Sequence, residues 1–281
     1  MQTRQGGIEI VRTMARTVVA TLATALACDA AGAVESPLVL EPRSRWSPVA
    51  LVYSHTDRQT GVRQDRPVGA PGTGFMLSPC YLITNYHVAF GDAPGRSAAP
   101  GAKLTVWLGE PARAYEAIIE AAGDFAPAAG PGEGDWALAR VESCPGRRKD
   151  VGWLAVSATT SFGLDNKVTT AGFPKDRAWP NIAVHHGCSI RARFDTGALI
   201  HDCATENGQS GSPLLLHENG RLTVVAMVSG IVEPKDRTAA TSNTNYAAPI
   251  GDILRQGAAS AALAADRSRA GRSPFEARLR R

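Results

Sequence analysis

From about Trp46 onward the apolar residues of this chain fall into short runs: Val49 to Tyr53, Gly74 to Leu77, Tyr81 to Thr84, Leu104 to Leu108, Trp136 to Val141, Lys167 to Phe173, Ser189 to Phe194, Leu199 to Cys203 and Leu222 to Val232. Gly, Pro, Asp or Asn bounds each run. The runs are too short for typical helices and most carry β-branched residues, so they predict strands and an all-β chain. A last strand is expected over Asn245 to Ile250, followed by an Ala-rich segment of helical composition. The polar, turn-rich stretch Pro145 to Asp150 divides the strands into two sets of similar size. This predicts two β-barrels, over 46–145 and 161–250, joined by a linker at 146–160. A helix over 251–265 and a disordered basic tail over 266–281 complete the expected order.

Composition agrees with this pattern. The hydrophobic fraction of 44% is globular, and 28 Gly and 18 Pro, spread along 281 residues, suit many strands joined by tight turns. The formal charge is only +4, with six Arg in the last fifteen residues, so nothing points to nucleic acid. At the N-terminus Arg4, Arg12 and Arg16 precede the apolar run Thr17 to Ala27, and Ala31-Gly32-Ala33 follows. That order reads as a secretory signal over 1–33, which implies export to the periplasm or beyond. The apolar run is too short for a membrane span. A lipoprotein anchored through Cys28 is the alternative, although Ala25 departs from the expected Leu. Residues 34–45 are then an N-terminal segment, with a propeptide ending near Arg43 or Arg45 as an open alternative. Removal of the signal leaves Cys80, Cys144, Cys188 and Cys203, an even count that suggests two disulfides; three pairings are possible on count alone. There is no Cys-x-x-Cys or His-x-x-x-His, so neither a metal nor another cofactor is expected.

Three segments carry candidate chemistry. Acyl transfer by a serine needs a base, a group to orient that base, and N–H donors for the oxyanion. His87 follows the strand Leu82-Ile83-Thr84; Asp135 leads into Trp136 to Val141; Ser210 sits in Gly208-Gln209-Ser210-Gly211-Ser212-Pro213 ahead of a buried strand. Each alone has an ordinary explanation as a turn or strand-end residue. Their order and spacing among the strands carry the argument. An α/β-hydrolase would place its acid and histidine after the serine, and here only His217 follows, with no Asp between.

At these residues the chain resembles the chymotrypsin-like serine peptidases. Gly-x-Ser-Gly-Ser-Pro and Thr84-Asn85-Tyr86-His87-Val88 are similar to the bacterial, glutamyl-endopeptidase-like and trypsin-like members, and Gly172-Phe173-Pro174 is a further landmark. The resemblance implies two Greek-key, six-stranded β-barrels with a C-terminal helix. It implies Ser210 as nucleophile, His87 as general base, Asp135 as the residue orienting it, and the N–H groups of Gly208 and Ser210 as the oxyanion hole. It pairs Cys80 with Cys144, whose strands adjoin in the family's first barrel, leaving Cys188 and Cys203 on a hairpin. Polypeptides are the implied substrates of a monomeric endopeptidase. A non-catalytic secreted binding module or an esterase on the same scaffold is the alternative.

Departures narrow these expectations. Gln209 stands where animal zymogens carry the Asp that pairs with a new N-terminus, so activation of that kind is not expected. The substrate pocket is placed at Ala204, Thr205, Val228, Ser229 and Gly230, without an acidic residue to select Arg or Lys. Thr205 matches a threonine of the glutamyl-specific members, but the facing histidine is replaced by Val228 or a neighbour. A small or medium apolar residue on the acyl side is expected. Ser229 is expected to hydrogen-bond Asp135, and His185, His186 and His201 are read as surface or hairpin histidines.

Overall fold

A computed structural model of the chain describes residues 38–275 apart from 58–59, 69, 92–99, 126–131, 158–162, 176–180, 219–220, 232–244 and 256. The signal segment 1–33 with Cys28, and positions 276–281 of the tail, lie outside the described residues. The order is β1 (Val39–Glu41), β2 (Val49–Ser54), β3 (Gly72–Met76), β4 (Tyr81–Thr84), α1 (Tyr86–Phe90), β5 (Lys103–Leu108), β6 (Arg113–Ala122), β7 (Ala137–Val141) and β8 (Ala155–Val156). It continues with β9 (Lys167–Gly172), β10 (Ile182–Arg193), β11 (Leu199–His201), β12 (Pro213–Glu218), β13 (Arg221–Ile231), β14 (Asn245–Pro249), α2 (Ile250–Leu254) and α3 (Gly257–Ala270).

Strands β2-β3-β4-β7-β6-β5 close the first barrel. Alternation does the work: Val52, Met76, Leu82, Leu104, Val106, Ala117, Ile119 and Ala139 form one buried cluster, while Ile118 and Glu120 of β6 face outward. Strand β6 escapes the apolar-run reading because its Ala and Glu content is helical in propensity; two neighbours, β5 and β7, hold it as sheet.

The second barrel closes through β9-β10-β11-β14-β13-β12, with β9 also paired to β10. Strand β10 is twelve residues long, starting well before the Ser189 expected from the sequence. One of its edges carries β9, and the other carries β1 along its first half and β11 along its second. Segment 34–45 therefore contributes a strand to the fold from residue 39. Arg43, 1% exposed, donates to the carbonyl of Trp107 and lies 5.1 Å over the Phe173 ring. Burial lowers its pKa to about 10, which leaves it charged at neutral pH.

Both disulfides of the expected pairing are present, Cys80–Cys144 and Cys188–Cys203. The first ties the entry of β4 to the exit of β7, and the second ties β10 to the residues after β11.

The expectation of disorder from residue 266 does not hold for 266–275. Asp266 is buried and accepts from Ser78 Oγ at 2.7 Å and from the Cys80 N–H at 3.0 Å. Ser273 Oγ donates to the Trp153 carbonyl at 2.6 Å and accepts its N–H at 2.9 Å. Phe275 joins the main core cluster. Gly152, at φ +77°, makes room for it, since a Cβ there would lie 2.6 Å from the Phe275 Cβ. A single apolar side chain with two capping polar residues thus anchors a segment whose composition alone reads as solvated.

Candidate active site

Strand β4 ends at Thr84, and the chain turns at Asn85 into the single helical turn of α1, which projects His87 from the rim of the first barrel. Asp135 stands just ahead of β7, the strand beside β4. It is 1% exposed. Its carboxylate accepts the His87 backbone N–H at 3.1 Å, and both of its oxygens lie 3.0 Å from His87 Nδ1. Imidazole and main chain are thus held by one anion, which fixes Nδ1 as the protonated nitrogen and leaves Nε2 to accept.

Ser210 lies in the turn before β12. The turn is stitched internally: the Gln209 N–H donates to Glu206 O at 3.0 Å, the Glu206 N–H to Gln209 Oε1 at 2.7 Å, and the Ser212 N–H to Gln209 O at 2.9 Å. Gln209, fully buried, therefore braces the loop, a neutral role in place of an ion pair. Among the described residues the N–H groups of Gly208 and Ser210 donate to no protein acceptor, so both remain for an anion. Gly208 has φ +95°, and a Cβ there would meet Phe173 O and Lys175 N at 2.6 Å; the glycine is required by strand β9's exit as well as by the turn. His87, Gly208 and Ser210 line one cleft of about 320 Å³.

Two residues missed by sequence reasoning tie these parts together. Thr73 of β3, fully buried, donates through Oγ1 to Gly208 O at 2.9 Å and accepts there from the Phe173 N–H at 3.0 Å. Its backbone N–H donates to Ser210 O at 2.8 Å, and its carbonyl accepts from Thr84 Oγ1 at 2.6 Å. One first-barrel threonine thereby positions the Ser210 loop of the second. Asn85 does the same for the acid: its Nδ2 donates to Asp135 O at 3.0 Å and to Ser229 Oγ at 3.1 Å. The direct bond expected from Ser229 to Asp135 is thus replaced by a relay through Asn85 to the main-chain carbonyl. Neither residue bears chemistry of its own: Thr73 lies outside the quoted motifs, and Asn85 lies inside the His87 motif without a role being read for it.

The five expected pocket residues lie apart from the cleft. Val228 is bound to the nucleophile loop, its carbonyl accepting the Gly211 N–H and its N–H donating to Ser212 O, both at 2.9 Å. Ser229 is buried and turned to Asn85. Gly230 packs on Tyr246, whose Oη would lie 2.6 Å from an added Cβ; Ala204 and Thr205 are half-buried on the facing segment. Of the three histidines read as peripheral, only the side chain of His186 is exposed, where it pairs with Glu41 at 2.6 Å. His185 and His201 are buried in the second barrel. His185 Nδ1 accepts the Ala204 N–H at 2.6 Å. Burial holds His201 neutral, its pKa lowered to about 4.

Two closed antiparallel six-stranded barrels, with a histidine–aspartate pair on one and a serine turn on the other, define the chymotrypsin-like class of fold. The trypsin-like peptidase domain family matches residues 72–227, more than half of the chain, and the chain belongs to that family. Solved structures agree on the architecture. A Glu endopeptidase in complex with MPD superposes with a TM-score of 0.54 at 16% identity over 79% of this chain and 99% of that one. A serine endoprotease from Yersinia pestis gives 0.50 at 17% identity over 77% of this chain, which spans 65% of that protein. At such identities the likeness concerns the fold. No curated protein sequence matches the chain.

Proposed function

We propose that this protein is a serine endopeptidase acting outside the cytoplasm through an acyl-enzyme on Ser210. The observation that carries the reading is that His87, anchored by the buried Asp135, lines the same cleft as Ser210, where the N–H groups of Gly208 and Ser210 are unengaged among the described residues. In this reading His87 Nε2 takes the Ser210 hydroxyl proton as Oγ attacks the peptide carbonyl, and the N–H groups of Gly208 and Ser210 hold the oxyanion. His87 then gives that proton to the leaving amine, and a water molecule repeats the sequence to release the acid. Asp135 keeps Nδ1 protonated and stabilises the imidazolium. The residue on the acyl side is assigned to the pocket of Ala204, Thr205, Val228, Ser229 and Gly230. The Tyr246 ring against Gly230 takes up space there, which favours a small or medium apolar side chain. Two disulfides suit an oxidising compartment, and no described helix is long and apolar enough to cross a membrane.

A fluorophosphonate probe tests the reading. We expect stoichiometric labelling of the folded protein, none of Ser210→Ala, and a fall in kcat on the order of 10³ to 10⁴ in Asp135→Asn. No adduct on the wild-type protein, or one that survives Ser210→Ala, would refute it.

A further inference from the structure

An acyl-transfer site has two sides, one for the acyl half of the substrate and one for the half that departs as an amine. None of the five residues assigned to the acyl side lines the cleft shared by His87 and Ser210. That cleft instead runs from the nucleophile loop between Pro71 and Gly72, at the start of β3, and Lys175 and Asn207 opposite. Its contact with His87, the group that must protonate the departing nitrogen, places it on the leaving-group side. Apart from His87, Lys175 is the only residue with an ionisable side chain among the described lining residues. Its position is fixed by the main chain: the Lys175 N–H donates to Asn207 O at 2.6 Å, clipping the exit of β9 to the nucleophile loop. The ammonium group therefore hangs from an anchored backbone, exposed to the cleft and to solvent. The carboxylate of Glu206, next to Asn207 in the chain, is not part of the lining.

Resting on the endopeptidase reading, we propose that the leaving-group side of this cleft is a subsite for acidic residues, in which Lys175 pairs with an Asp or Glu side chain just after the scissile bond. Lysine serves this as a mobile point charge, and the pairing favours encounter and orientation of acidic substrates. The pair is open to solvent, so the gain is modest and falls with salt.

The test uses quenched peptides built on a site cut in casein, identical up to the scissile bond and carrying Glu, Gln or Lys at the first or second position after it. Rates are normalised to active sites titrated with the fluorophosphonate. For the wild-type enzyme at low ionic strength we expect kcat/KM to favour Glu over Gln by about threefold, with Lys poorest and the ratio shrinking in high salt. Lys175→Gln should bring the Glu and Gln peptides level, and Lys175→Glu should favour the Lys peptide. Equal rates for Glu and Gln in the wild-type enzyme, or a Glu preference that persists in Lys175→Gln, would overturn the pairing while leaving the peptidase reading intact. Absence of both labelling and cleavage would overturn the two together.

Discussion

The two barrels share a strand count and a closure but differ inside. In the first, the inward hydroxyls, Ser54 and Thr84, have partners at Ala89 O and Thr73 O, at 2.5 and 2.6 Å; the rest of the buried cluster there is overwhelmingly aliphatic. In the second, Thr170 Oγ1, Ser212 Oγ and both ring nitrogens of His201 are buried with no hydrogen-bond partner among the described residues. Strand pairing sets Thr170 beside Leu214 and His201 beside Ile190, both members of the apolar cluster of that barrel. The first barrel, which holds His87 and Asp135, also leaves buried atoms without a hydrogen-bond partner among the described residues, His55 Nδ1, Thr56 Oγ1 and Asn85 Oδ1, but these lie just past the ends of β2 and β4 rather than among its aliphatic side chains. The second, which carries the Ser210 loop, contains such groups among the side chains of its apolar cluster, where they cost stability in place.

That contrast can be broken or sharpened experimentally. The largest effect is expected from acid. A His201 pKa near 4 in the fold against about 6.5 unfolded means that the fold favours the neutral ring. Its contribution is intact above pH 6.5, is lost as pH falls toward 4, and amounts to about 3 kcal/mol once the unfolded ring alone is protonated. Urea unfolding of the wild type and His201→Gln across this range should give a flatter profile for the variant. Parallel profiles would remove His201 as the source; His185 and Asp202 are the neighbouring titratable groups.

The seam between the barrels comes next. Thr73→Val keeps the shape of the side chain but strips partners from Gly208 O and the Phe173 N–H, and should cost about 2 kcal/mol. Labelling of Ser210 should slow more than unfolding stability alone explains, measured well below the midpoint of unfolding. A smaller pair of opposite effects tests the interiors directly. Val106→Thr, which adds a hydroxyl to the first barrel, should destabilise by about 1 to 3 kcal/mol. Thr170→Val, which removes one from the second, should be neutral or stabilising by up to about 1 kcal/mol. Equal costs for both would erase the distinction.

Much of this arrangement was legible in the sequence where one residue type had one physical reading. The apolar runs gave most strands, and the polar stretch Pro145 to Asp150 separated them into two sets. Ser210, His87 and Asp135 stood out because acyl transfer needs groups of those types and their order matches the family that the chain resembles, and the cysteine pairing followed from the same resemblance. What was hidden depended on neighbours distant in sequence. Strand β6 is a helix-prone segment overruled by two flanking strands, and β1 is three residues whose strand character comes from the edge of β10. His185 and His201 read as peripheral because histidine usually is; barrel closure buries them. Thr73 and Asn85 work through partners far along the chain, Gly208 O, Asp135 O and Ser229 Oγ, which a sequence pattern does not reveal even where, as at Asn85, the residue sits in a motif.

Asp266 has a consequence in time. It completes the hydrogen bonds of Ser78 and Cys80, at the entry of the strand that leads to His87, and Ser273 and Phe275 close over Trp153 and Gly152. A chain emerging from the ribosome presents His87, Asp135 and Ser210 before residue 266 appears. Until then the Cys80 end of the first disulfide lacks its last restraint. The setting of His87 therefore reaches its finished form only after both barrels have been synthesised, so the last residues made complete one of the first barrel's early strands.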